Sequence, residues 1–190
     1  MIDYLEIFLL MIVESIGFPV PSEIILPLAG YYSSQGLTNP VYVIIISTLG
    51  SIVGSIVDYF IAFKLGIPFL HKYGKIFGLT SIKLNKLNLW FSKYGTFSVF
   101  IFRFVPEFRA LISFPAGIAS MQIVKFLIST FLGNIIWDSI LVWIGFAFPS
   151  SWELLISTVY RYLIYITILL VIGIILYIIR NKLKVLFFKI

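Results

Sequence analysis

Arg103 and Arg109 flank Pro106 inside residues 96–121, a stretch that is otherwise almost wholly apolar. A guanidinium is a permanent cation whose planar fork grips phosphate or carboxylate oxygens at two points. Five carboxylates sit in equally apolar surroundings: Glu14, Glu23, Asp58, Glu107 and Asp138. At about 2.5–3.5 kcal/mol for each charge at the centre of a membrane helix, keeping all seven groups there costs about 20 kcal/mol. A chain that needed only to sit in a bilayer would lose them. Five acids also outnumber two arginines, so some acids must face water or take a proton. A protonatable carboxylate beside a fixed guanidinium is what proton-coupled movement of an anion requires. The residues thus point to Arg103 and Arg109 as ligands for a phosphate-bearing, lipid-linked substrate. Glu23, Asp58, Asp138 and Glu107 are the expected proton-coupling groups. The alternative is an ion-pair network, with the arginines held by Glu23 or Glu107, that only fixes the fold.

The elements that must carry these groups are membrane elements. Of 190 residues, 61% are hydrophobic and 12% charged, and the mean hydropathy is +1.08. That is about half the charge of an ordinary soluble domain. Disorder is excluded by the apolar content, and a disulfide scaffold by the lack of cysteine. The expected fold is an all-α integral membrane protein, a single membrane domain over 1–190. Residues 41–63, 126–148 and 162–179 are long and apolar enough to span a bilayer. Residues 15–32 and 96–121 are interrupted by prolines and charges, and read as re-entrant hairpins shielded by protein. The first half is then 1–63, the second 96–148, and the C-terminal transmembrane helix and basic tail occupy 149–190.

Charge distribution supports that topology. Residues 1–63 hold no Lys or Arg, whereas 64–95 hold six lysines and no acid, and Arg180, Lys182, Lys184 and Lys189 close the chain. Both basic groups lie on the cytoplasmic side if 96–121 dips in and returns. The two hairpins then enter from opposite faces, an inverted repeat. A loose echo accompanies it: Pro27-x-Ala29-Gly30 in one half, Pro115-Ala116-Gly117 in the other. In 41–63, Gly50, Gly54 and Asp58 share a helical face, and Ser47, Ser51 and Ser55 form a small-residue stripe suited to close packing. Residues 80–94 place Leu84, Leu87, Trp90, Phe91 and Tyr94 opposite Lys83, Lys86 and Lys93, the pattern of an amphipathic helix on the membrane surface.

Enzymatic readings find little support. Lipid-phosphate phosphatases use histidines, and His71, alone and in a loop, cannot serve. No base lies in a span to activate a serine, and no Gly-rich loop with Lys is present to cradle a nucleotide. Neither a metal nor a cofactor is expected, and nucleic acid is an unsuitable partner for basic groups set among apolar flanks. The expected partners are membrane lipids, the anionic substrate and protons, with a homo-oligomer allowed; the expected location is the plasma membrane. A passive phospholipid scramblase or a proton-coupled exporter of small ions or drugs are the other readings.

The segment Glu14-Ser-Ile-Gly-Phe-Pro-Val-Pro-Ser-Glu23, with Ala29-Gly30 following, resembles the first signature of the DedA (VTT-domain) family. Phe91-Ser-Lys-Tyr-Gly95, Arg103-Phe-Val-Pro-Glu-Phe-Arg109, Ala116-Gly117, Met121, Phe126, Gly133-Asn134 and Trp137 resemble the second. The resemblance covers about residues 14–145. It implies a transporter with two opposed re-entrant hairpins, linked to recycling of polyprenyl-phosphate carriers and to proton-driven physiology, with eukaryotic relatives similar to scramblases. Carried over by position, the family's essential acid falls on Glu23 and its essential arginines on Arg103 and Arg109. Ser22 and Glu107 depart from the family's glycines. Ser55 replaces an acid often found after the long helix's glycine, with Asp58 one turn later.

Overall fold

A computed structural model describes residues 3–18, 20–66 and 81–151, with 154, 157 and 161; the side chains of 65–66, 81–87 and 107 lie outside that description. His71, Pro19, most of the basic loop, the C-terminal span 162–179 and the basic tail fall outside the described residues, as do the lysine side chains of the amphipathic pattern before Lys93. The chain forms two compact units, Met1–Trp152 and Glu153–Ile190. In the first unit every described element is helical: α1 (Tyr4–Ser15), α2 (Ser22–Ser34), α3 (Pro40–Ile61), continued by a π-helical turn (Ala62–Gly66), α4 (Ser81–Phe102), α5 (Pro106–Leu111), α6 (Ser113–Ile118) and α7 (Ile123–Ala147).

Local chemistry sets the boundaries. Asp3 caps α1 and exchanges hydrogen bonds with Glu6 in a capping box. The helix stops at Gly17, whose φ of +91° suits a residue without a β-carbon. Pro21 opens α2. Asn39 Oδ1 accepts from Val41 N at 2.9 Å and Pro40 occupies the first turn of α3, where its missing N–H costs nothing. Pro106 likewise starts α5 after a break at 103–105.

Two helices, Pro40–Lys64 and Ile123–Ala147, each of 25 residues, are long and apolar enough to cross a membrane. They carry large side chains outward (Leu49, Val53, Val57; Ile128, Phe131, Ile136) and small or polar ones inward (Ser47, Gly50, Ser51; Thr130, Asn134, Asp138). A soluble protein does the reverse; this is the polarity of a helix bundle solvated by lipid tails. The two run antiparallel, since Ser47 and Thr48 meet Asp138 while the Tyr59 ring meets Phe126 at 4.8 Å.

The shorter helices pack on these two in a matched way. α1 runs alongside α3 in the same direction: Tyr4 touches Asn39 and Tyr42, and a β-carbon on Gly50 or Gly54 would lie 2.5 Å from the carbonyl oxygen of Phe8 or Ile12. The chain then reverses at 16–21. α4 runs alongside α7 likewise, Gly95 meeting Met121 and Gly133 meeting Arg103 Cβ. Each return segment crosses to the other half's long helix. A β-carbon on Gly30 of α2 would lie 2.1 Å from Val142 O of α7, and one on Gly117 of α6 would lie 2.3 Å from Tyr59 O of α3. Backbone-to-backbone contact so close admits only glycine.

Two boundaries differ from the sequence expectation. The first reversal lies inside 15–32, but its leading arm reaches back to Tyr4. Residues 80–94 and the start of 96–121 are one continuous helix, α4, because Gly95 sits against Phe91 and Met121 and does not break it. The switch from an amphipathic to an apolar pattern occurs within that helix.

Candidate functional site

The chain breaks, the two reversal regions and the inner faces of α3 and α7 converge on a buried cluster of charges. Arg103 and Arg109 are 1% and 2% exposed, and Asp138 is fully buried. Arg109 is the hub. Its Nη1 lies 3.6 Å from Glu14 Oε1, and its Nη2 3.5 Å from Asp138 Oδ1. Ser22 Oγ accepts from Arg109 Nη1 at 2.8 Å and donates to Glu14 Oε1 at 2.7 Å, so one hydroxyl bridges cation and anion. Asp138 Oδ2 accepts from Ser47 Oγ at 2.9 Å and Thr48 Oγ1 at 3.1 Å. Arg109, from the second half, is thereby tied to α1 and α2 of the first.

Arg103 is held differently. Its Nη1 donates to the carbonyl oxygen of Arg109 at 2.6 Å, and its Nη2 to Ser113 Oγ and Thr130 Oγ1, each at 3.1 Å. Its guanidinium carbon lies 5.9 Å from the Phe126 ring centre, a cation–π contact. These partners are neutral. Arg103 thus fixes the geometry of the 103–113 break and remains a buried cation within electrostatic reach of Asp58.

Of the expected site residues, Arg103, Arg109 and Asp138 are brought together. Glu23 is buried in the first turn of α2 within electrostatic reach of Arg109. Asp58 is buried on α3, one turn beyond Gly54. Glu107 belongs to α5, and its side chain lies outside the described residues. Among the described side chains, Arg109 forms ion pairs with Glu14 and Asp138, which the sequence had not singled out as its partners.

Sequence reasoning also missed neutral members. Ser47 looked like a packing residue and Thr48 was not singled out, yet both hydrogen-bond Asp138. Ser22, which stands in place of a family glycine, is the bridge between Glu14 and Arg109. Thr130, Asn134 and Asp138 recur every fourth residue, so one face of α7 is polar in an apolar helix; that spacing was the available signal. Glu14 carried its own: a carboxylate in the last turn of an apolar helix, two turns beyond the capping Glu6.

Comparison with known proteins agrees with the motifs. A protein of Lactococcus lactis strain IL1403 named "Alkaline phosphatase-like protein" is 36% identical over 157 residues, 80% of this chain and 73% of its own length. "Undecaprenyl phosphate transporter A" of Staphylococcus aureus is 34% identical over 181 residues, 93% of this chain and 89% of its own. The protein of the same name in Bacillus subtilis is 37% identical over 163 residues, covering 86% and 82%. No solved structure matches the chain. The VTT domain matches residues 20–147, the segment that contains Glu23, both arginines and both long helices, and the chain belongs to the VTT-domain (DedA) family of membrane proteins.

Proposed function

We propose that the protein moves lipid-linked phosphates across the plasma membrane, with polyprenyl phosphate carriers as substrate and protons as the coupling ion. The observation that carries this reading is the buried Arg109, gripped by two carboxylates through geometry that suits phosphate equally well. Phosphate and carboxylate compete for one guanidinium. A proton on Glu14 or Asp138 neutralises the competitor and frees Arg109 for the substrate; loss of that proton restores the ion pair and expels the phosphate. Glu23, within electrostatic reach of Arg109, and Asp58, within reach of Arg103, are the groups proposed to pass protons to that exchange, with Glu107 added from the sequence alone. The names of the Staphylococcus and Bacillus relatives support the substrate class.

The name alkaline phosphatase-like does not alter the reading. The hydroxyls beside the arginines are engaged in hydrogen bonds to them or to carboxylates.

The same reading takes α1–α2 and α4–α6 as two re-entrant hairpins entering from opposite faces. Each returns across the long helix of the other half, as in an inverted repeat. The basic loop and C-terminus are cytoplasmic in this arrangement, and the turn at 35–39 is outside.

The test is reconstitution into liposomes with fluorescent farnesyl phosphate and a fluorescent phosphatidylcholine, with and without a pH gradient. The expected result is movement of farnesyl phosphate alone, accelerated by the gradient. Equal movement of both lipids without gradient dependence would establish passive scrambling instead.

A further inference from the structure

Asn134 is fully buried on α7, and among the described residues neither its Oδ1 nor its Nδ2 has a hydrogen-bond partner. Buried amides are costly to leave unpaired. The position is specific. Thr130, one turn before, accepts from Arg103; Asp138, one turn after, pairs with Arg109. Four helical residues rise about 6 Å, so the carboxamide sits midway between the two anchor points of the arginines. Other buried donors nearby are also without acceptors: Arg103 Nε, and Nε1 of Trp137, whose ring meets Phe104 edge-on at 6.3 Å. On the facing helix the antiparallel register sets Ser51 opposite Asn134, and its buried hydroxyl has no partner either.

A guest that satisfies this layer must accept hydrogen bonds from N–H groups and also donate one, since Oδ1 of Asn134 only accepts. A phosphate monoester in its singly protonated form does both, with anionic oxygens and one P–OH. A phosphodiester, the headgroup linkage of ordinary phospholipids, carries anionic oxygens but no P–OH. We propose that Asn134 is the residue that selects phosphomonoester lipids against phosphodiester lipids, its Nδ2 donating to an anionic oxygen and its Oδ1 accepting from the P–OH. A site built to pair a hydroxyl discriminates strongly against the analogue that lacks it, because its own polar atom is then stranded. This rests on the lipid-phosphate reading above and adds the basis of its selectivity.

The experiment compares binding of farnesyl phosphate and methyl farnesyl phosphate to the detergent-solubilised protein at pH 5. There the monoester is mostly a monoanion, because its second proton leaves near pH 6, and the two probes carry equal charge. Wild type should bind the monoester at least tenfold more tightly. Asn134→Leu has nearly the same volume and removes the stranded atoms; it should melt no lower than wild type and weaken farnesyl phosphate at least tenfold more than the methyl ester, which loses only the Nδ2 donor, so the preference disappears. Asn134→Ser keeps a donor and an acceptor and should retain part of it, a comparison that stands even where the leucine variant folds poorly. A wild-type protein that binds both probes equally overturns the inference and leaves the lipid-phosphate reading intact. So does an Asn134→Leu or Asn134→Ser protein in which affinity for the two probes falls in parallel, as a helix-to-helix pin to Ser51 would produce. Failure of wild type to bind either probe would refute the lipid-phosphate reading itself.

Discussion

Replacing Arg109 by Gln leaves two carboxylates without their cation. Glu14 and Asp138 have side chains only 9% and 0% exposed, so water cannot take the place of the guanidinium. Stranding one partner of a buried pair costs about 3–5 kcal/mol. Two pairs share this arginine, but each acid keeps hydroxyl donors: Ser22 for Glu14, Ser47 and Thr48 for Asp138. The net loss should therefore stay near the range for one pair, about 4 kcal/mol. A chain of this size loses about 2–4 °C of melting temperature for each kcal/mol, which places the fall at about 8–16 °C. Thermal unfolding in detergent, followed by intrinsic tryptophan fluorescence at pH 8, where free carboxyls are charged, measures it. Arg109→Gln combined with Glu14→Gln and Asp138→Asn carries no stranded charge and should recover most of the loss; either acid substitution alone with Arg109→Gln should recover about half. An Arg109→Gln protein that melts within about 2 °C of wild type refutes the ion-pair account, and so does a triple variant that fails to recover.

Arg103→Lys keeps the charge, but one ammonium cannot reach Arg109 O, Ser113 and Thr130 together; farnesyl phosphate affinity should fall about tenfold or more while the protein elutes as a single species in size-exclusion chromatography. Gly145→Ala would force a methyl group to 1.8 Å from Pro27 O, and Gly30→Ala one to 2.1 Å from Val142 O, so each should cost at least about 2 kcal/mol. Their effects should be non-additive in thermal melts, because both sit in the α2–α7 contact. Gly17→Ala meets no neighbouring atom and is strained only through its φ of +91°, so it should cost about 1 kcal/mol by the same measurement. The chain has no cysteine, so single cysteines report topology cleanly: in intact cells Gln35→Cys should react with a membrane-impermeant maleimide from outside, and Gln122→Cys only after permeabilisation. Labelling of both from one side would reject the hairpin reading.

The sequence exposed what breaks helices and what is costly in lipid. Pro21, Gly17 and Pro106 mark the ends of elements through local backbone restrictions, and they lie where the structure reverses or breaks. The two long spans were legible from length and apolarity. The union of 81–102 into one helix was not: its pattern changes from one lysine-bearing face to apolar all round, and such a change reads as an element boundary. Gly95, which looks like a hinge, is held helical by its packing with Phe91 and Met121. Pairing was the least legible feature. Arg109 is 95 residues from Glu14 and 29 from Asp138, so α1, α5 and α7 had to be brought together before these pairs existed. Serine was ambiguous for a related reason. On α3, Ser47 pairs with Asp138, while Ser55, two turns on, hydrogen-bonds the carbonyl of Ser51 in its own helix.

The arrangement of these bonds says where movement is cheap. The glycine contacts between α1 and α3 are within the first half, and those between α4 and α7 within the second; they bring backbones close enough that sliding would be resisted by shape. Between the halves the glycine contacts are confined to the ends of the long helices, Gly30 and Gly145 at one end and Gly117 at the other. The middle of the boundary is polar. Asp138 meets Ser47 and Thr48 across it, and Arg109 meets Ser22 and Glu14 across it. Hydrogen bonds and ion pairs, unlike interdigitated shape, can be exchanged one for another by protonation or by an incoming phosphate. Close backbone contacts therefore pin the boundary between the halves at its two ends, and exchangeable ones join the halves at mid-depth. The charges are costly to bury, and they lie at the boundary that must open if a lipid headgroup is to pass.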